Sequence, residues 1–256
     1  LPAQPSATPS ASPTLDPPMP SDALSPAEET APAKPRLGLF STLPIYWGEG
    51  DVAALIDSGA EPDWVRVELE SRYDLVPLDT LEPDALAGID RVILAQPRAL
   101  APSENVSFDQ RLTAGGEALI FADPMLTRHS EYPIGDRRRP QDVVLLSPLF
   151  DHWGLELTFD ETQPGEERVL PVAGLPVPVR LHGRFVRNDS GAEERTCTTH
   201  DEGLVARCAV GQGTALVLAD AALLDWDGSA PVPERRKDAL QALLGGFGAR
   251  ESLPRD

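Results

Sequence analysis

No stretch of this 256-residue chain approaches the roughly 18 uninterrupted apolar residues that a membrane-spanning helix needs. The longest candidate, Thr214 to Leu224, is too short and is broken by Asp220. Basic residues are scarce as well: 22 Lys and Arg stand against 41 Asp and Glu, a formal net charge of −19. Binding to a phosphate backbone depends on Lys and Arg displacing counterions, and anionic lipid attracts the same residues. No nucleic-acid partner is therefore expected, and a membrane only through an anchor upstream of this chain. The four histidines, His129, His152, His182 and His200, lack the close ligand spacing of a zinc site. Catalytic signatures are missing too. Ser41, near the end of the first predicted strand, has no G-x-S-x-G elbow around it. An amidotransferase-type thiol would sit on a strand-to-helix turn, whereas both cysteines lie in a β-rich stretch. The expectation is a non-enzyme with no cofactor and no metal. Asp225-Trp226-Asp227-Gly228-Ser229 has the look of a calcium loop without its distal glutamate, and a solvated turn is the better reading. The formal sequons at Asn105 and Asn188 carry no weight.

Proline is what the chain has in quantity. Ten of its 27 prolines fall in the first 35 residues, among Ala, Ser and Thr. Such a composition cannot bury enough apolar surface to offset its ordering entropy. Residues 1–35 read as a disordered tether and residues 36–256 as one α/β domain. A tether of this kind that opens on Leu1 leads us to expect a signal peptide or membrane anchor upstream, and an exported, periplasmic location. The two cysteines support export. Cys197 and Cys208 flank a hairpin signal at Glu202-Gly203; if that pair makes the turn, the cysteines face each other at about 5.5 Å between Cα atoms. That separation accepts a disulfide, which persists only in an oxidising compartment.

Apolar runs and turn signals alternate along the domain. Arg36–Leu43, Leu75–Leu78, Arg91–Ala95, Ala118–Ala122 and Thr214–Ala219 read as strands, the later three as continuous runs of the kind buried on both faces. Helices are expected over Asp51–Ser58, Pro62–Tyr73, Pro102 to Gly115-Gly116, Val143–Trp153 and Glu234–Leu244. Between residues 155 and 210 lie shorter strands, Leu155–Phe159, Val169–Val172, Val177–Phe185 and the cysteine hairpin, which read as an antiparallel insertion. The fold class expected is a parallel, Rossmann- or flavodoxin-like sheet with helices on both faces and a β-rich insertion.

The segment Arg91–Pro124 resembles the core of the GldG-like auxiliary components of ABC-type transport systems. The features that match are Gln96-Pro97 after a strand, Leu100 and Ser103 at a helix start, Asp109 within the helix, Gly115-Gly116, and Asp123-Pro124 closing the next strand. Ser147-Pro148-Leu149-Phe150 through Gly154, and Gly211-Gln212-Gly213 to Asp220, add weaker matches. Asn105 and Arg111 depart from the pattern, and the membrane segments common in that family are missing. The resemblance implies a flavodoxin-like or class I glutamine-amidotransferase-like fold, used without catalysis on the extracytoplasmic side, with the ATPase and permease subunits as partners.

In an open parallel sheet, ligands sit beyond the carboxyl ends of the strands. Here those ends supply Ser41, Thr42, Gln96, Asp123 and Asp220, with Trp47 and Glu49 on the adjoining loop. As a cleft, their carboxylates and amide would accept hydroxyl or amine hydrogens while Trp47 stacks on a ligand face. As punctuation, Asp123 before Pro124 and Asp220 after its strand are turn and cap residues with no ligand. Arg137-Arg138-Arg139 is the one basic run; it either pairs with Asp136, Asp142 and Glu131 or marks a partner contact. The function expected is a non-catalytic extracytoplasmic accessory domain of an ABC-type transporter, acting through protein or envelope contacts, and the alternative a periplasmic binding module for a small polar or glycan ligand.

Overall fold

A computed structural model describes residues 33–49, 61–188, 191, 195–226 and 230–246. Most of the expected tether, the helix expected at Asp51–Ser58 and the end of the Asp225–Ser229 turn lie outside them. Along the described chain run β1 (Arg36–Ser41), α1 (Trp64–Arg72), β2 (Asp74–Pro77), α2 (Pro83–Leu86), β3 (Arg91–Ala95), α3 (Pro102–Thr113) and β4 (Glu117–Phe121). Then come α4 (Ser147–His152), β5 (Leu155–Phe159), β6 (Arg168–Val172), β7 (Leu175–Val179), β8 (Gly183–Arg187), β9 (Arg195–His200), β10 (Val205–Val210), β11 (Gly213–Leu218) and α5 (Glu234–Gly245).

Seven strands form one mixed sheet in the order β2-β1-β3-β4-β11-β10-β9. The first five are mutually parallel, while β10 pairs antiparallel with both β11 and β9. The fold is thus mixed α/β with a mostly parallel central sheet. Val92, Ile93 and Leu94 in β3 and Leu119, Ile120 and Phe121 in β4 are all buried, because parallel central strands are covered on both faces. Register brings the carboxyl ends into line: Ser41 faces Ala95, Ala95 faces Phe121, and Phe121 faces Leu218. The loops after these four strands therefore emerge side by side.

Local chemistry sets the helices around this edge. Asp63 caps α1 by accepting from Val65 N at 2.8 Å, and Val65 and Leu69, four apart, turn inward. Pro102 opens α3, where its missing N–H costs nothing, and Glu104 reaches back to Ala101 N at 2.8 Å. Gly115, at φ +108°, ends the helix with Gly116 behind it.

Three expectations change. The helix expected at Val143–Trp153 shrinks to Ser147–His152, because Pro148 has no N–H and is tolerated only in a first turn. Val144 instead gives its N–H to Asp123 O at 3.0 Å. The strand expected at Val177–Phe185 is two strands, broken at Leu181 with φ +50°. They part to different partners, β7 to β6 and β8 to β5. Finally, the antiparallel insertion is divided: β5–β8 make two separate two-stranded sheets, while β9 and β10 extend the central one.

Candidate functional site

The strand-end residues separate into two groups. Gln96 is fully buried with φ +46°, a left-handed conformation that turns its amide across the sheet edge. Its Nε2 donates to Asp123 O at 3.0 Å and Gln141 O at 2.8 Å, and its Oε1 accepts from Asp123 N at 2.8 Å. Asp123 accepts from Met125 N at 2.8 Å and Ala221 N at 3.2 Å. Asp220 accepts from Ala222 N at 2.7 Å and Arg180 N at 2.8 Å. These three side chains stitch the exit loops to one another, and all are turned away from solvent. Burial pushes the Asp123 carboxyl up to about 7 against its two backbone donors. Burial, and then the Asp123 charge, raises Asp220 as well.

The second group opens outward. A cleft of about 560 Å³ lies over the carboxyl ends of β1 and β2 and the loop after β3. Ser41, Thr42 and Trp47 line it, together with Arg137 and Arg138. The sequence reading kept those two sets apart; the chain folds them onto one surface. The floor is apolar, from Leu39, Phe40 and Leu78. Trp47 stands 67% exposed, in a T-shaped pair with the Tyr46 ring at 4.8 Å between centroids. Neither hydroxyl is free: Ser41 Oγ donates to Leu43 O at 3.0 Å and Ala95 O at 3.1 Å, and Thr42 Oγ1 donates to Gln96 O at 2.5 Å.

Sequence reasoning missed three contributors to this cleft. Arg98 forms one wall, its guanidinium 4.9 Å over the Phe40 ring and forked onto Glu104, with both bonds 2.8 Å. Those bonds, helped by the N–H of Ala101, hold the Glu104 carboxyl down at about 2. Tyr132 forms another wall beneath Arg138, whose guanidinium lies 4.3 Å over the ring. Tyr46 is the third. Glu at the third helical position marks a helix start, so Glu104 was legible; nothing local signals Tyr132.

The arginine run divides by partner. Arg138 pairs with Asp136 at 2.8 Å, and its hydrogen bonds bring that half-buried carboxyl down to about 2. Arg139 pairs with Asp142 at 3.0 Å and donates to Tyr132 O at 3.0 Å. Arg137, exposed, has no ion pair among the described residues. Glu49 belongs elsewhere: it accepts from Ser130 and lines a separate cavity of about 510 Å³ with Arg128, Arg180, Asp225, Trp226 and Arg236. There Arg128 pairs with Asp225 at 2.5 Å, and Glu167 is shared by the buried Arg236 and, at 3.8 Å, Arg180. No cluster of His, Cys, Asp and Glu suited to a metal occurs among the described residues.

Cys197 and Cys208 form a disulfide, opposite each other across β9 and β10 as the hairpin predicts. Their Cα atoms are 4.0 Å apart, closer than the 5.5 Å expected and nearer the narrow type of antiparallel pair. Such a bond belongs to a non-cytoplasmic setting. Among the described residues no helix is long and apolar enough to cross a membrane.

Fold and cleft together define a class: a mixed α/β domain whose parallel strands open onto a ligand-sized pocket. No family model matches the chain, and no curated protein does. Solved structures give distant likenesses. The mmIFT52 N-terminal domain superposes with a TM-score of 0.49 at 14% identity, over 82% of this chain and 96% of that one. The exo-beta-1,4-mannosidase Op5Man5 from Opitutaceae bacterium strain TAV5 gives 0.48 at 13% identity, over 87% of this chain. A beta-galactosidase from Rahnella sp. R3 gives 0.45 at 14% identity, also over 87%. The chain spans only 37% and 32% of those two glycosidases. Likeness at this level distinguishes no chemistry.

Proposed function

We propose that this chain is a non-catalytic, extracytoplasmic accessory domain of an ABC-type transport system, and that it works by holding a small ligand in the cleft over the carboxyl ends of β1 and β2. The observation that carries the binding role is the cleft's place and lining. In the strand order β2-β1-β3-β4-β11, the chain reverses direction across the sheet at β1 and β3. Ligands of open α/β sheets settle beyond the strand ends at such a switch point, and the cleft opens on its β1 side, between the carboxyl ends of β1 and β2 and the loop after β3. A volume of about 560 Å³ is in the range of small-molecule sites, about 300–1,000 Å³. An exposed indole beside guanidinium groups, over an apolar floor, is a lining that orients a ligand.

Support for a role without chemistry comes from Ser41 and Thr42, whose protons are committed to backbone carbonyls. Support for export comes from the disulfide. The transport setting rests on the resemblance of Arg91–Pro124 to GldG-like components, and membrane attachment through residues 1–35 belongs to the same proposal.

Binding is tested by thermal denaturation of the whole chain against small carboxylates, phosphates, sugars and amines at millimolar concentration. At least one class is expected to raise Tm, and Trp47→Ala to abolish that rise while leaving the Tm of the free protein unchanged. If no class moves Tm, the binding role is wrong. The transport setting predicts that the full-length protein co-purifies with an ATPase and a permease encoded beside it. A gene standing apart from any such pair would overturn that part alone.

A further inference from the structure

We infer that the cleft selects a ring compound bearing a carboxylate or phosphate, with the anion on Arg137 and the ring against Trp47. This rests on the binding role proposed above. The sequence by itself favours the opposite charge, since Asp123, Asp220 and Gln96 on a cleft wall would draw amine or hydroxyl hydrogens. Folding removes all three: each is buried and bound to backbone groups of the exit loops. Arginines take their place on the lining.

The remaining charges can be assigned one by one. Arg98 is neutralised by the buried Glu104, and Asp79, the one acid on the cleft lining, lies near that same guanidinium. Arg138 is held by Asp136. Arg137 also lines the cleft and has no ion pair among the described residues, so it is the cation available to a ligand.

A positively charged ligand is disfavoured for a second reason. An aromatic cage attracts ammonium groups through ring faces. Here Arg66 already covers Tyr46 at 4.3 Å, and Arg138 covers Tyr132 at the same distance. Trp47 is the ring left open, and its 67% exposure makes it a platform for a flat ligand. A guanidinium forks onto carboxylate and phosphate oxygens alike, so the two anions share one chemistry.

Quenching of tryptophan fluorescence in the full chain provides the test, with benzoate, phenyl phosphate and glucuronate as anionic rings, benzyl alcohol and glucose as neutral ones, and inorganic phosphate as an anion without a ring. At least one anionic ring is expected to bind about tenfold more tightly than its neutral counterpart and than inorganic phosphate. Arg137→Gln should remove that tenfold preference without changing the Tm of the free protein, and Trp47→Ala should weaken both kinds of ring. If neutral rings bind as well and Arg137→Gln changes nothing, the anion preference is overturned while the binding role stands. If inorganic phosphate binds as well as the rings, the ring requirement falls. If no probe binds, the binding role and this inference fall together.

Discussion

Gln96 occupies the point where the loops after β3 and β4 meet; one amide there answers Gln141 O and Asp123 N and adds a second donor to Asp123 O, which Val144 N also serves. Its Nε2 serves the carbonyls of Asp123 and Gln141, and its Oε1 serves the N–H of Asp123. A buried group left without its partner costs about 1–3 kcal/mol. Gln96→Ala should therefore lower unfolding free energy by about 2–4 kcal/mol, read as a fall in the urea midpoint with an unchanged slope. Gln96→Glu keeps the shape but aims an oxygen at two carbonyl oxygens, and should cost at least as much. An unchanged midpoint in both variants would show that the loops hold together without this amide. Gly213 is a different kind of constraint. A Cβ there would meet the carbonyl oxygens of Gly116 and Leu112 at 2.2 Å, so β11 lies against the end of α3 with no room for a side chain. Gly213→Ala must part these elements, and should destabilise the fold by about 1–3 kcal/mol or more, as overpacking does.

At the scale of elements, legibility followed how local the determinant was. The β9–β10 hairpin was readable because its turn fixes every later pair: with Asp201, Glu202 and Gly203 all at positive φ, Cys197 has to meet Cys208. Parallel strands were readable as apolar runs, and α1, α3 and α5 from their caps and spacing. Val143–Leu146 misled because it is a loop that buries only Val144 and Leu146 while Val143 and Leu145 stay exposed, with Val144 bound to Asp123 O, and an apolar run alone cannot separate that from a helix. The site was half legible. Strand ends identified Ser41, Thr42, Gln96, Asp123 and Asp220, but which way each side chain turns depends on the left-handed backbone at Gln96 and on loops far away in sequence. The joining of Arg137 and Arg138 to Trp47 is purely tertiary. The hairpin also makes a prediction of its own. β9 is an edge strand, and its disulfide closes a sequence separation of 11. Chain entropy assigns such a loop about 3 kcal/mol. Replacing both cysteines with serine should lower Tm by about 6–12 °C for a domain of this size. Amide exchange should then quicken in β9 before β3 or β4; uniform acceleration would mean that the bond braces the whole sheet.

The molecule as a whole carries a charge imbalance that pH should expose. Asp123 and Asp63 are raised by burial from 3.8 to about 7 and about 6, and Asp220 is raised in the same direction. The folded state therefore keeps protons that the unfolded chain gives up. That contribution is complete below pH 3.8 and is lost as pH climbs through 6 and 7. Glu104 acts in reverse. Arg98 lowers it from 4.5 to about 2, so its contribution is complete above pH 4.5 and disappears as pH falls toward 2. Asp109 joins it: burial raises that carboxyl, but the bonds from Arg195 and Trp153 outweigh burial and leave it lowered. The two sets leave a maximum near pH 4.5–5, and a net charge of −19 at pH 7 adds self-repulsion on the alkaline side. Tm should be several degrees higher at pH 5 than at pH 8. Asp123→Asn, which places an amide N–H against one of its two backbone donors, should be less stable at pH 5 yet show a smaller drop between the two pH values. Asp136→Asn, at a carboxylate that Arg138 already holds ionised at both pH values, should leave the drop as it was. A wild-type Tm that rises from pH 5 to pH 8 would mean that Asp123 and Asp220 are held as anions by their backbone donors, and that burial does not govern their protonation.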